Sequence, residues 1–352
     1  MKILLLVKKF DFGGAECHVC DLANCLSKKG HNVIIASNKG RQTQKLHPNV
    51  KFIRIKFRDF LLPFNILHLA ILTIRHKIDV IHAHQRLPIL NAALTGVITG
   101  RKSIATVHGQ SKYDLKHYLS RKLVSKIIFV SKKTCASASL RYKLENKAVY
   151  IPNGAFFNDN NHDAAKNHSY RISYISKISS AHLKFLKLII KDILPDLQKS
   201  YPDLNFCIVG DGKKKQKLEK FIETVNGNKN NNIVSSIGYT SSITQACQTS
   251  ALIIGAGRVA MEAAALGTPV LSVNIKRLSG LIDIEKYLKI KNTNFIDVEA
   301  APPTKELLKQ SIIKFFNKRN HYQKESLFLA KKVKDEFAIE KITNKTVWVY
   351  KN

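Results

Sequence analysis

The residues best placed to do chemistry run from Ile254 through Gly255, Ala256, Gly257 and Arg258 to Glu262, and on to Gly267-Thr268-Pro269-Val270. An apolar strand over 251–254 meets a turn broken by glycines, a helix then carries the carboxylate of Glu262, and Gly267 with Pro269 stops that helix before another apolar strand. Glycines let a phosphate come close to the main chain, and a helix N-terminus offers unpaired N–H groups with a partial positive charge. Glu262, on the first turns, can accept hydrogen bonds from ribose hydroxyls. The pattern therefore fits a nucleotide. Elsewhere, Gly13-Gly14 makes a second glycine turn, and Glu16 on the next helical turn is an anion favoured by the helix dipole. His108 follows the apolar strand 104–107 and projects from its carboxyl end, where α/β folds place their ligands.

The elements that must position these residues form two α/β halves. In the first, strands are expected at 2–7, 32–36, 80–83, 103–107 and 126–130, with a helix from Cys17 to Lys29 ended by Gly30 and a helical stretch from Asn65 to Lys77. In the second they are expected at 170–175, 206–210, 233–238, 251–254 and 270–271. Strand, helix and strand in this order give parallel βαβ units. Ile151-Pro152-Asn153-Gly154 leads into a polar, Asn-rich run to His168 that reads as a linker. The expected division is 1–160, 169–335, and a helix over 336–352 returning to the first domain.

With 352 residues and 45% hydrophobic content the chain can bury two cores and is not a disordered segment. The longest apolar-rich stretch, 60–74, is interrupted by Pro63, Asn65 and His68 and is too short to span a bilayer, and Met1-Lys2-Ile3 opens a strand rather than a signal peptide. A cytoplasmic protein is expected. Cys17 and Cys20 have no second pair at zinc spacing, and His82 and His84 have no obvious co-ligands, so no metal is assigned. The net charge of +33 asks for an anionic partner. No nucleic-acid motif is present, which leaves an anionic membrane. The segment 51–64, with bases set among large apolar groups and followed by the helical stretch 65–77, suits a headgroup surface.

Taken together, Gly13-Gly14-Ala15-Glu16, the run Asp79 to His84, Thr106-Val107-His108-Gly109, Ile151 to Gly154, Val209-Gly210-Asp211-Gly212 and Glu262 with Gly267-x-Pro269 resemble glycosyltransferase family four in order and spacing. The resemblance implies the GT-B fold: α/β, two Rossmann-like domains with parallel sheets facing across a cleft, the acceptor side first and the nucleotide-sugar side second. It implies retaining transfer from a nucleoside diphosphate sugar to a hydroxyl, with no further cofactor. With the charge, it implies a glycan or glycolipid acceptor of the cell envelope, such as lipopolysaccharide or a capsular or exported polysaccharide, met at the cytoplasmic face of the inner membrane. Gly13, Gly14, Gly210, Gly257, Arg258 and Glu262 would hold the donor; His108, Lys177 and His182 would be catalytic; Glu16, Asn153 and Ile254 would touch sugar or acceptor. Lys177 and His182 stand where the family commonly has Arg and Lys, with Lys184 or Arg258 as other sources of charge. Ile254 stands where the family usually has glutamate, so either another polar group takes over that contact or, as the reading favours, the donor is a deoxy or acetamido sugar. A nucleotide-sugar epimerase of the same architecture and a non-catalytic relative remain as alternatives.

Overall fold

The computed structural model describes residues 1–11, 13–109, 115–157, 170–227, 233–240 and 242–352. Two compact units are present. Unit 1 is Met1–Phe156 with Phe337–Asn352, and unit 2 is Phe157–Glu336. Residues 158–169, most of the Asn-rich run, lie outside the described residues.

Unit 1 is built in chain order from β1 (Lys2–Lys9), α1 (Gly14–Lys28), β2 (Asn32–Asn38), β3 (Lys51–Arg54), α2 (Leu62–Arg75), β4 (Val80–His84), α3 (Arg86–Thr99), β5 (Lys102–Val107), α4 (Leu115–Leu123), β6 (Lys126–Phe129), α5 (Lys132–Tyr142) and β7 (Ala148–Tyr150). The sheet order is β3-β2-β1-β4-β5-β6-β7, and every pair is parallel. β1 is apolar from Ile3 to Val7 because both faces are covered. Ile3, Leu5 and Val7 pack with Val19, Leu22 and Leu26 of α1, whereas Leu4 and Leu6 pack with Leu69 and Leu72 of α2 and Ala92 and Ala93 of α3.

Unit 2 contains β8 (Arg171–Ile175), α6 (Ser180–Leu188), α7 (Leu194–Ser200), β9 (Asn205–Val209), α8 (Lys215–Asn226), β10 (Val234–Gly238), α9 (Thr244–Thr249), β11 (Leu252–Gly255), α10 (Arg258–Ala265), β12 (Val270–Asn274), β13 (Arg277–Leu281), α11 (Ile284–Ile290), α12 (Lys305–Asn317) and α13 (Arg319–Phe337). Its sheet order is β10-β9-β8-β11-β12-β13. β13 is antiparallel to β12, so this sheet is mixed at one edge rather than parallel throughout. A last helix, α14 (Ile339–Lys351), belongs to unit 1, where Ile339, Ile342, Val349 and Tyr350 join the cluster on the α1 face of the sheet.

In each sheet the strand order turns back once, between β1 and β4 in unit 1 and between β8 and β11 in unit 2. Successive connections leave such a point on opposite faces, which opens a crevice at the strands' carboxyl ends. The loops after these four strands carry Gly13, Gln85, Lys177 and Gly257.

Candidate functional site

At the crevice of unit 1, α1 begins at Gly14, three residues earlier than the sequence reading placed it, because Gly13 in extended backbone caps the helix and its carbonyl accepts the Cys17 N–H at 2.9 Å. Glu16 thereby falls in the first turn. Its Oε1 accepts from Gln85 Nε2 at 2.7 Å, and Gln85 Oε1 accepts the Lys8 N–H at 3.2 Å. Gln85 has φ 71 and ψ 161, a region that side-chain-bearing residues seldom adopt, and the two hydrogen bonds help to hold it there.

Strand periodicity sends His82 and His84 of β4 to the same face as Thr106 of β5 and His108, and the register aligns His84 with Thr106. This is the face covered by α1 and α14. His82 therefore meets Tyr350 of α14, with Nδ1 to the hydroxyl at 2.6 Å and Nε2 to Thr106 Oγ1 at 2.7 Å. His84 Nδ1 lies 2.9 Å from His108 Nε2, and His108 Nδ1 lies 3.0 Å from Asn153 Oδ1. The amide oxygen of Asn153 can only accept, so His108 Nδ1 carries the proton, His108 Nε2 accepts, and His84 Nδ1 donates. His84 Nε2 is then a bare lone pair, buried with no partner among the described residues. From α1, His18 Nδ1 accepts the Gly154 N–H at 3.2 Å, and its ring stands 5.5 Å from that of His108. Burial holds His82 down at about 3, His108 at about 4, and His84 well below its ordinary value, so the cluster is neutral. Both nitrogens of His108 are engaged inside the protein; a ligand takes one only by exchange.

Unit 2 presents a different chemistry. Gly257, with φ +62, caps α10, and a side chain at Gly255 would run into Val259. Arg258 Nε donates to Glu262 Oε1 at 2.6 Å across one helical turn, so the ribose candidate is already oriented by a guanidinium. Gly210 lets the loop after β9 approach the loop after β8, since a Cβ there would fall 1.9 Å from the Ser176 carbonyl oxygen. Lys177 is exposed on that β8 loop. His182, in the first turn of α6, is less simple. Ser179 caps the helix by accepting the His182 N–H at 3.4 Å, and its Oγ is 2.7 Å from His182 Nδ1. A hydroxyl proton pointed at Nδ1 satisfies both contacts and leaves Nε2–H as a donor. Burial lowers the pKa of His182, so this position supplies a neutral donor in place of the cation that the family resemblance implied.

Ile254 is a correction. β11 continues through Gly255, which places Ile254 between Tyr174 and Leu271 in the sheet, fully buried in the core of unit 2. Its side chain packs in that core and not at the surface, so the inference from it to a deoxy or acetamido donor loses its basis. Sequence reasoning also missed His18 and His84 as neighbours of His108, and Gln85 as the partner of Glu16. The signal was available in His82-x-His84 and Thr106-x-His108, two period-two pairs on strands that turn out to be adjacent. Among the described residues no group of three His, Cys, Asp or Glu side chains is arranged to hold a metal ion, and no helix is long and apolar enough to cross a membrane.

Residues 12–155 match the family described as Glycosyltransferase Family 4, and residues 157–326 match Glycosyl transferases group 1. The chain belongs to glycosyltransferase family 4. The glycosyltransferase is similar to the solved structure of Anabaena HepE in complex with UDP, at 16% identity and TM-score 0.72 with 99% of each chain covered. It is also similar to a glycosyltransferase from Rickettsia africae, at 22% identity and TM-score 0.76 over 99% of this chain and 97% of that one. These likenesses establish the GT-B fold. A curated human relative, one of the subunits of phosphatidylinositol N-acetylglucosaminyltransferase, is 26% identical over 60% of this chain and 48% of its own length. The glycosyltransferase spans about half the length of the curated relatives it matches. Both matched family models are glycosyltransferase models.

Proposed function

We propose that the chain transfers a sugar, with retention at the anomeric carbon, from a nucleoside diphosphate sugar held by unit 2 to a hydroxyl of a membrane-associated glycan or glycolipid presented to unit 1. What supports this reading is that the loops after the adjacent strands β8 and β11 carry Lys177 and the Gly257-capped N-terminus of α10 with its Arg258–Glu262 pair. As the glycosidic bond breaks, negative charge grows on the departing diphosphate. The N-terminal N–H groups of α10, Lys177 and the neutral Nε2–H of His182 are fixed donors for it, while Glu262 takes the ribose hydroxyls. His108 holds a single tautomer, set by Asn153, and so offers a defined hydrogen-bonding edge to a neutral hydroxyl when its bond to His84 opens.

UDP in the Anabaena neighbour's structure supports a uridine nucleotide. The human relative's name supports an N-acetylamino sugar and a lipid acceptor, and an anionic lipid agrees with the basic charge of this chain. A cell-envelope glycan such as lipopolysaccharide or a capsular or exported polysaccharide, extended on the cytoplasmic face of the inner membrane, is the acceptor class favoured here. The test is thermal melting with UDP, GDP, ADP and their sugars, followed by transfer with the best donor and assignment of the product's anomeric configuration by NMR. UDP compounds raise the melting temperature by mass action and the product retains configuration. No shift with any nucleotide, an inverted product, or an epimerised free sugar overturns the proposal.

A further inference from the structure

Seven of the most exposed large apolar residues in the described chain lie on two adjoining helices of unit 1 and the turn before the first. Phe60, Phe64, Leu67, Ile71 and Ile74 are 56 to 71% exposed, as are Val97 and Ile98 in the last turn of α3. The positions 60, 64, 67, 71 and 74 follow steps of three and four, so they form one stripe along α2, opposite the stripe of Leu69 and Leu72 that enters the core. A helix of an α/β unit buries one side; here the other side is also apolar, and it stays exposed among the described residues. Exposed apolar area of this extent on a soluble fold marks a contact surface.

The border of the stripe identifies the contact. Lys51, Arg54, Lys56 and Arg58 are exposed before it, Arg75 and Lys77 after it, and Arg101 and Lys102 beyond α3. Over 51–77 there are six Lys or Arg residues and one acidic residue, Asp59. Arg58 lies over the Phe60 ring, 5.8 Å from its centroid, so at this end the apolar and basic groups are in direct contact. A symmetric pairing of two copies through this face would bring these bases against one another, whereas a surface of anionic headgroups over acyl chains matches both components. We infer that α2 and the last turn of α3 form the docking face for an anionic lipid bilayer, with Phe60, Phe64, Leu67, Ile71 and Ile74 entering the headgroup and acyl boundary. α2 runs antiparallel to the strands it connects. Its Phe64 end therefore lies at the carboxyl edge of the sheet, the edge that carries Gly13, Gln85 and His108. A bilayer on this face supplies acceptor to that edge; to this extent the inference rests on the proposed function.

The experiment is flotation of the full chain with vesicles of phosphatidylglycerol and phosphatidylcholine in equal parts, and with phosphatidylcholine alone. The parent is compared with a Phe64→Ser, Ile71→Ser double variant and with a Lys56→Ser, Arg58→Ser double variant. Both apolar positions are exposed, so the first variant keeps the parent's melting temperature and its rate of UDP-sugar hydrolysis, while its partition into anionic vesicles falls about tenfold or more. The second variant loses the part of binding that salt also removes. Equal partition of parent and Phe64→Ser, Ile71→Ser overturns the inference. So does a dimeric parent that this variant converts to a monomer, because the face is then an interface between copies, and so does duplex DNA that strips the parent from vesicles at equimolar phosphate. Vesicle binding without any sugar transfer would sink the proposed function and leave this face standing; transfer to a glycolipid acceptor dispersed in detergent, without vesicle binding, would do the reverse.

Discussion

At the crevice of unit 1 the sheet carries His82, His84 and His108, buried, neutral and bonded to one another or to Thr106, Tyr350 and Asn153; at the crevice of unit 2 it carries Lys177, Arg258 and Glu262 around a glycine-capped helix. The architecture at the two places is the same, a parallel sheet whose order turns back once. The difference lies in how polarity is kept. Unit 1 hides its titratable groups and fixes their tautomers, which suits recognition of an uncharged hydroxyl. Unit 2 leaves its charges near solvent and clears space with glycine, which suits a diphosphate.

The largest effect is expected where unit 2 clears that space. Gly210→Ala places a methyl 1.9 Å from the Ser176 carbonyl oxygen, against backbone that cannot rotate away, and should cost about 3 kcal/mol or more. Calorimetry should show a lower unfolding temperature together with lost UDP binding; an unchanged melting curve would mean that the two loops can part freely.

Next comes acid, which should act first on unit 1. The folded values of His82 and His108, about 3 and about 4, lie below the ordinary 6.5. The unfolded chain therefore takes up protons that the folded cluster refuses. Stability is full above pH 6.5 and is lost as pH falls from there toward 4, and by pH 4 His82 alone accounts for about 3 kcal/mol. Melting temperatures across pH 4 to 8 test this, with His82→Gln as the control that flattens the slope by about one proton. A parent whose melting temperature is level from pH 7 to 5 contradicts a neutral buried cluster.

Glu262→Ala should weaken UDP by roughly 1.5 to 3 kcal/mol, about a tenfold to a hundredfold or more in Kd, without unfolding the chain. Isothermal titration measures it, and unchanged affinity in the folded variant removes Glu262 from the nucleotide site. The smallest effect belongs to Ile254→Val, about 1 kcal/mol of stability from a lost core methylene. Competition between hydroxy, deoxy and acetamido donors should give the same preference in variant and parent; an altered preference would return Ile254 to the ligand surface.

Much of the scaffold was legible because its signals are local. The apolar run of β1, the alternating packing of its two faces, and the Gly257 turn before α10 follow from short-range pattern and backbone sterics alone. The nucleotide candidates Gly257, Arg258 and Glu262 were legible for the same reason, being neighbours in the chain. The histidine cluster was not, because it needs the β4–β5 register and two helices, α1 and α14, brought from opposite ends of the sequence. Ile254 failed because counting residues back from Glu262 does not say where β11 ends, and the strand runs one residue past it. The α2 stripe was half legible: composition flagged the bases among apolar residues, but only packing shows which side of the helix stays uncovered.

Helix α14 sets an order of maturation that runs against the direction of synthesis. A ribosome releases all seven strands of unit 1, then the whole of unit 2, before Ile339, Ile342, Val349 and Tyr350 emerge. At elongation rates of about 5 to 20 residues per second, the nascent first unit waits on the order of ten to forty seconds with one face of its sheet covered by α1 alone and His82 without its tyrosine. Unit 2, an uninterrupted stretch of chain, can close during that interval. Of the two units, the one whose strands emerge first is thus completed only after the other has been made, and α14 acts as the latch over the first sheet.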